Sequence, residues 1–218
     1  MRGRFVAAAL ACAALVLAGA GVVGAAAFPV ASDELTLVRV PGAVPEHSCT
    51  LTAVADSYVD EALPDTAFGP EEYVAVSSGP TDRRAFVRFD IASCGVPAGA
   101  EVRSARMSLL LTAAPAWART WEVQRVTDVW HGPTVTWNTA PTVAAGVTDT
   151  AAVGTVAGVA VSWNVRADVA DVVSGAATDR GWRIADADEE SPVTVGGALA
   201  SHEAAESERP SLTLTWFD

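Results

Sequence analysis

The residues best suited to hold an ion are acidic and clustered. Asp186 to Ser191 reads DADEES and offers several carboxylate oxygens in a predicted loop, the hard donor set that calcium takes. It lacks the glycine and the ligand spacing of an EF-hand loop. Asp56 in ADSYVDE and Asp90 in RFDI are further candidates. The expected ligands are therefore Asp56, Asp90, Asp186 and Asp188, and the cofactor they would hold is structural calcium. Each aspartate taken singly also suits a turn or strand-end hydrogen bond. Three histidines exist, His47, His131 and His202. HEAAE, from His202 to Glu206, opens like a zinc-protease helix, but Glu206 stands where a second histidine is required, and a strand pattern follows at once. No G-x-S-x-G nucleophile elbow is present. A glycosidase pair depends on the spatial separation of two carboxylates, which the sequence does not supply.

Aromatic residues are the second chemistry. Trp117 lies in APAWART, beside Pro115 and two residues before Arg119, in a predicted loop. An exposed indole near a guanidinium suits stacking on the apolar face of a ring. Trp130, just before His131-Gly132-Pro133, and Tyr73, sharing a strand face with Ala75 and Ser77, complete the candidate ligand-binding set of Trp117, Trp130, Tyr73 and Arg119. The structural alternative for Trp117 is a ring folded over a sheet edge. In VWHGPTVTWNTAP (Val129 to Pro141), period two places Val135 and Trp137 on one face, which makes Trp137 a core residue, like Trp163 and Trp216.

The elements that must position these groups are strands. In EVRSARMSLLLTA, Ala105, Met107, Leu109 and Leu111 share a face; in RAFVRFDI, Ala85, Val87, Phe89 and Ile91 do; in SLTLTWF, Leu212, Leu214 and Trp216 do. Further strands are predicted at 50–54, 73–77, 121–127, 134–137, 159–163, 181–185 and 193–200, with turn residues between them. NVRADVADVVSG is the exception. Val165, Val169, Val172 and Val173 fall at helical spacing, with Asn164 to cap and Gly175 to terminate. The pattern predicts an all-β fold: a two-sheet antiparallel β-sandwich, jelly-roll-like, with one short helix.

Composition bounds the rest. The chain has 218 residues, no lysine, and a net charge of −12. Arg2 and Arg4, then an apolar run from Phe5 to Phe28 ending in small residues, read as a signal peptide over 1–27. A retained membrane anchor is the competing reading, since the run is long enough to span. Either places the remainder outside the cytoplasm, secreted or at the cell surface. Residues 28–48, with Pro29, Pro41 and Pro45, read as an extended lead-in, and 49–218 as one domain. A chain this acidic repels phosphate backbones, which excludes nucleic acid as a main partner; a membrane is a partner only if the N-terminal run is retained. With Cys12 in the leader, Cys49 and Cys94 form a lone pair in an oxidising compartment and are expected to be disulfide-bonded, with two free buried thiols as the alternative.

The order of motifs ADSYVDEALPDTAFGPEEYVAV, RAFVRFDI, VRSARMSLLL, VW…VTWNTAP and SHEAAESERPSLTLTW resembles the DNRLRE-domain family, related to carbohydrate-binding module family 96, over Leu51 to Trp216. The resemblance implies a secreted or cell-surface β-sandwich, often an accessory to polysaccharide-acting enzymes, with some members binding alginate. Ala67-Phe68-Gly69 stands where members commonly show Asn-Tyr-Gly, and His131-Gly132-Pro133 where an acidic residue follows the tryptophan. The net charge makes an acidic glycan a poor match unless Arg83, Arg84 and Arg88 form a local exception. The function expected is a non-catalytic carbohydrate-binding or cell-wall-associated module whose partner is a polysaccharide or cell-wall glycan. Its alternatives are a structural or interaction domain without a sugar site, and a lyase or hydrolase on the same scaffold.

Overall fold

The computed structural model describes residues 45–189 and 191–217. The predicted leader or anchor over 1–27 and most of the lead-in lie outside the described residues. The strands are β1 (Glu46–Thr52), β2 (Ala55–Asp60), β3 (Tyr73–Ser78), β4 (Arg83–Arg88), β5 (Glu101–Ala113), β6 (Arg119–Arg125), β7 (Asp149–Val153), β8 (Ala160–Asn164), β9 (Trp182–Asp186), β10 (Val195–Ala200) and β11 (Ser211–Phe217). One helix, α1, spans Arg166–Val173. β1 begins at Glu46, so the last residues of the expected lead-in already belong to the sheet.

All strand pairings are antiparallel, and they join the strands into one continuous sheet rather than two separate layers. The reason is β5. Its thirteen residues pair with β11 from Glu101 to Ser108, with β8 from Arg106 to Leu110, and with β10 at Leu111 and Ala113. A strand that long carries the ladder from one half of the fold to the other, and strand twist curls the result. Across the interior the Trp163 indole N–H on β8 donates to the Trp121 carbonyl on β6 at 3.1 Å, and the backbone N–H of Asn164 donates to Asp149 Oδ2 on β7 at 2.7 Å. The main core lies inside this curl. Met107, Leu109, Leu111, Trp121, Trp163, Trp182, Leu212 and Leu214 are fully buried there, and Trp216 nearly so.

A second, smaller core covers the outer face of β2 and β4. Val59 and Phe86 point away from the main core and meet Val126, Trp130 and Val135 from the 126–143 segment, with Trp137 against them. This corrects the expected strand at 134–137, which is a turn followed by a 3-10 helix at Trp137–Thr139. Trp137 is half-buried, with the Arg84 guanidinium 4.5 Å over its ring. Val135 and Trp137 do keep apolar company, but on the outside of the sheet. The loop fits closely because Gly132 has no side chain: a Cβ there would lie 2.7 Å from the Asp56 carbonyl oxygen.

Helix α1 matches its expected span. The N-cap position falls on Val165 rather than on the expected Asn164, which lies one residue earlier and accepts the N–H of Arg166 through Oδ1 at 3.1 Å. Val165 and Val169 are buried, and Gly175, at φ +78°, ends the helix in the left-handed conformation that glycine adopts without strain. The Cys49–Cys94 disulfide forms and ties β1 to the 3-10 turn at Ile91–Cys94.

Candidate functional site

β3 and β10 pair with Ala75 opposite Ala198, Ser77 opposite Gly196 and Tyr73 opposite Ala200. Small residues at successive positions leave a trough rather than a ridge. That trough is an open cavity of about 510 Å³ lined by Tyr73, Ala75, Ser77, Arg83, Gly196 and Gly197, and by Ala114 and Ala116 of the loop before β6. On the other side of Tyr73 and Ala198 it continues into a cavity of about 890 Å³, bordered by Glu72, Glu203, Glu208 and Arg209. Tyr73 stands where the two meet.

The Tyr73 ring is 39% exposed and anchored from below. Tyr58 stacks on it at 5.7 Å, its hydroxyl 3.5 Å from that of Tyr73, and Phe68 stacks on Tyr58 at 4.3 Å. Burial pushes the Tyr58 phenol well above its ordinary pKa, so it stays protonated. Phe68 thus extends an aromatic column that ends at the surface in Tyr73. Trp117 is 45% exposed on the loop whose Ala114 and Ala116 line the trough.

The other two residues of the expected ligand set lie elsewhere. Trp130 is 3% exposed; its ring packs on Phe86 and its indole N–H donates to the Arg180 carbonyl at 2.8 Å. It is a core residue of the outer cluster and offers no face to a ligand. Arg119 is held by Asp186 through two hydrogen bonds at 2.8 and 2.7 Å. That contact raises its pKa further and holds the guanidinium as a structural group.

The expected ion ligands also separate. Asp186 is buried with both oxygens engaged by Arg119, and Oδ1 also accepts the N–H of Asp188; Asp188 is exposed. Asp90 is exposed and caps the 3-10 turn through its carbonyl, which accepts from Ser93. Asp56, by contrast, is buried and has company that the sequence reading missed. His202 Nδ1 stands 3.1 Å from Asp56 Oδ1 and 2.8 Å from Glu203 Oε2. The Asp56 carboxylate beside it raises the His202 imidazole above its ordinary pKa, against burial, which lowers it. Among the described residues these three form the group whose ligand atoms converge, within 4.8 Å of one another. A signal existed: His202-Glu203 follows a predicted strand directly. HEAAE resembles a helix motif instead, and 146 residues separate Asp56 from His202.

Arg83, Arg84 and Arg88 are already engaged. Arg84 pairs with Glu189 at 2.7 Å and covers Trp137, Arg88 lies 5.8 Å from the Trp130 ring, and Arg83 pairs with Asp60 at 2.6 Å. Of these three, Arg83 reaches the trough.

No curated protein matches the chain. The model of carbohydrate-binding module family 96 matches residues 47–216, which takes in the sheet from β1 to β11. With a match of that extent, this chain belongs to carbohydrate-binding module family 96.

Proposed function

We propose that the domain is a non-catalytic, extracytoplasmic carbohydrate-binding module that holds a polysaccharide along the Tyr73 trough. The carrying observation is an exposed aromatic ring, backed by two stacked rings, at the junction of two cavities floored by alanine and glycine. A flat sugar ring lies on such a surface by burying its C–H face on Tyr73 while its hydroxyls reach polar groups at the rim. Glu72, Glu203 and Glu208 face Arg83 and Arg209 there, so the rim carries mixed charge with an acidic excess. That balance favours a neutral, hydroxyl-rich glycan over a polyanionic one. The basic start, the apolar run and the disulfide support placement outside the cytoplasm.

Affinity should be modest, because one stacking contact must offset the lost freedom of the ligand. Retention on a panel of neutral and anionic polysaccharides, with Tyr73→Ala and Trp117→Ala beside the wild type, is the test. Tyr73→Ala is expected to weaken binding about tenfold, the equivalent of about 1.4 kcal/mol. Unchanged retention in both variants would remove the trough as the site. Absence of retention across the panel would leave an interaction domain without a sugar site, and release of new reducing ends would make it an enzyme.

A further inference from the structure

Asp56 is 1% exposed, and its two oxygens are treated differently. Oδ2 accepts the backbone N–H of His202 at 2.7 Å, whereas Oδ1 is buried without a hydrogen-bond partner. A buried carboxylate oxygen is normally satisfied, because leaving it bare costs free energy. Oδ1 points at His202 Nδ1, 3.1 Å away, and Nδ1 is likewise buried without a hydrogen bond although Glu203 Oε2 is 2.8 Å from it. Both oxygens lie close to the nitrogen and off its N–H axis. Two ligands held about 2.0–2.2 Å from one zinc ion stand roughly 3–3.6 Å apart, close to the separations seen here.

From this geometry we propose that Asp56 Oδ1, His202 Nδ1 and Glu203 Oε2 bind a divalent first-row transition metal of the zinc type. The imidazole decides the class. Calcium takes an all-oxygen shell of six to eight ligands, whereas one nitrogen and two carboxylates suit zinc, with water completing the coordination. The ligands sit on supported backbone. Asp56 belongs to β2 and pairs opposite Val87 of β4, with Gly132 packed against its carbonyl. His202 and Glu203 follow β10 directly. The Ser201 hydroxyl lies 2.8 Å from the Glu71 carbonyl and 3.0 Å from Glu203 Oε2, and accepts the Glu203 N–H at 3.0 Å. A metal here fastens β2 to the β10–β11 turn, and because Glu203 also borders the larger cavity, it fixes one wall of the Tyr73 trough.

The test uses the chelator-stripped full chain titrated with zinc and, in parallel, calcium, by calorimetry and thermal unfolding. The expected result is one zinc per chain, a zinc-dependent rise in Tm, and calcium binding at least tenfold weaker. Glu203→Gln, on a side chain partly open to solvent, should leave the metal-free Tm near wild type and weaken zinc at least tenfold; His202→Ala should abolish binding. Should His202→Ala fail to fold, Glu203→Gln still decides. The proposal is overturned by absence of zinc binding in the wild type, by equal zinc binding in wild type and Glu203→Gln, or by calcium binding as tightly as zinc.

Discussion

Asp179 shows how much one carboxylate's surroundings matter. Its Oδ2 accepts the N–H of Ile91 at 3.1 Å, and its Oδ1 is buried without a partner. Burial raises its pKa, outweighing the N–H groups of Ile91 and Gly181 and the charge of Arg88, which lower it. A carboxyl raised on folding contributes stability below its unfolded pKa, near 3.9, and loses that contribution as pH rises through the folded value. Asp179→Asn keeps an acceptor and has no charge to bury. It should therefore unfold at higher urea than wild type at pH 7, with the advantage shrinking as pH falls toward about 4. An advantage unchanged with pH would show that charge burial is not its cause. Single residues are also where sequence reading was weakest. Trp117 and Trp130 both stand beside a proline or a Gly-Pro pair and look alike in the chain, yet one is open to water and the other buried. Burial depends on what packs over a ring, and local spacing carries no record of that.

Among the elements, α1 is small but strongly tied. Asp168, in its first turn, accepts from the Trp182 indole N–H at 2.8 Å and the Thr148 hydroxyl at 2.7 Å, and lies 3.5 Å from Arg125 Nε. One side chain thus fastens the helix to β9, β6 and the segment before β7. Asp168→Ala should destabilise by about 2–3 kcal/mol, because it strands a buried indole N–H and leaves Arg125 without its carboxylate. Asp168→Asn, which keeps one acceptor, should cost clearly less. Denaturant unfolding of both variants separates the two; equal losses would point to packing rather than hydrogen bonding. Alternation made β4, β5 and β11 legible because each has an apolar face and a wetter one. β2 was missed for the opposite reason. Tyr58 faces the main core and Val59 the outer one, and Asp56, Ser57 and Asp60 are buried too, so burial runs along the strand without a period. β7, a sheet-edge strand of Asp, Thr, Ala and Val, has too little apolar contrast to announce itself.

For the molecule as a whole, closure of the first described strand on the last matters most. β1 pairs along its length with β11, and the Cys49–Cys94 bridge, 45 residues apart, holds β1 a second time. Breaking that loop with Cys49→Ser and Cys94→Ser together should cost about 4 kcal/mol in the chain-entropy account. Urea unfolding of the double variant against the oxidised wild type measures it, and reductant should bring the wild type to the same midpoint. A loss far below 1 kcal/mol would mean that β1 is held by its pairing alone. What the chain determined by itself was the material: antiparallel strands, one capped helix, a lone cysteine pair, and an acidic surface without lysine. Each of these follows from neighbours a few residues apart or from totals over the chain. Only the tertiary structure decided that β5 would join the strands into one curled sheet, that the tryptophan loop would cap its outer face, and that Asp56 would meet His202 and Glu203. Those outcomes depend on which distant surfaces exclude water from one another, and that is settled by packing in three dimensions.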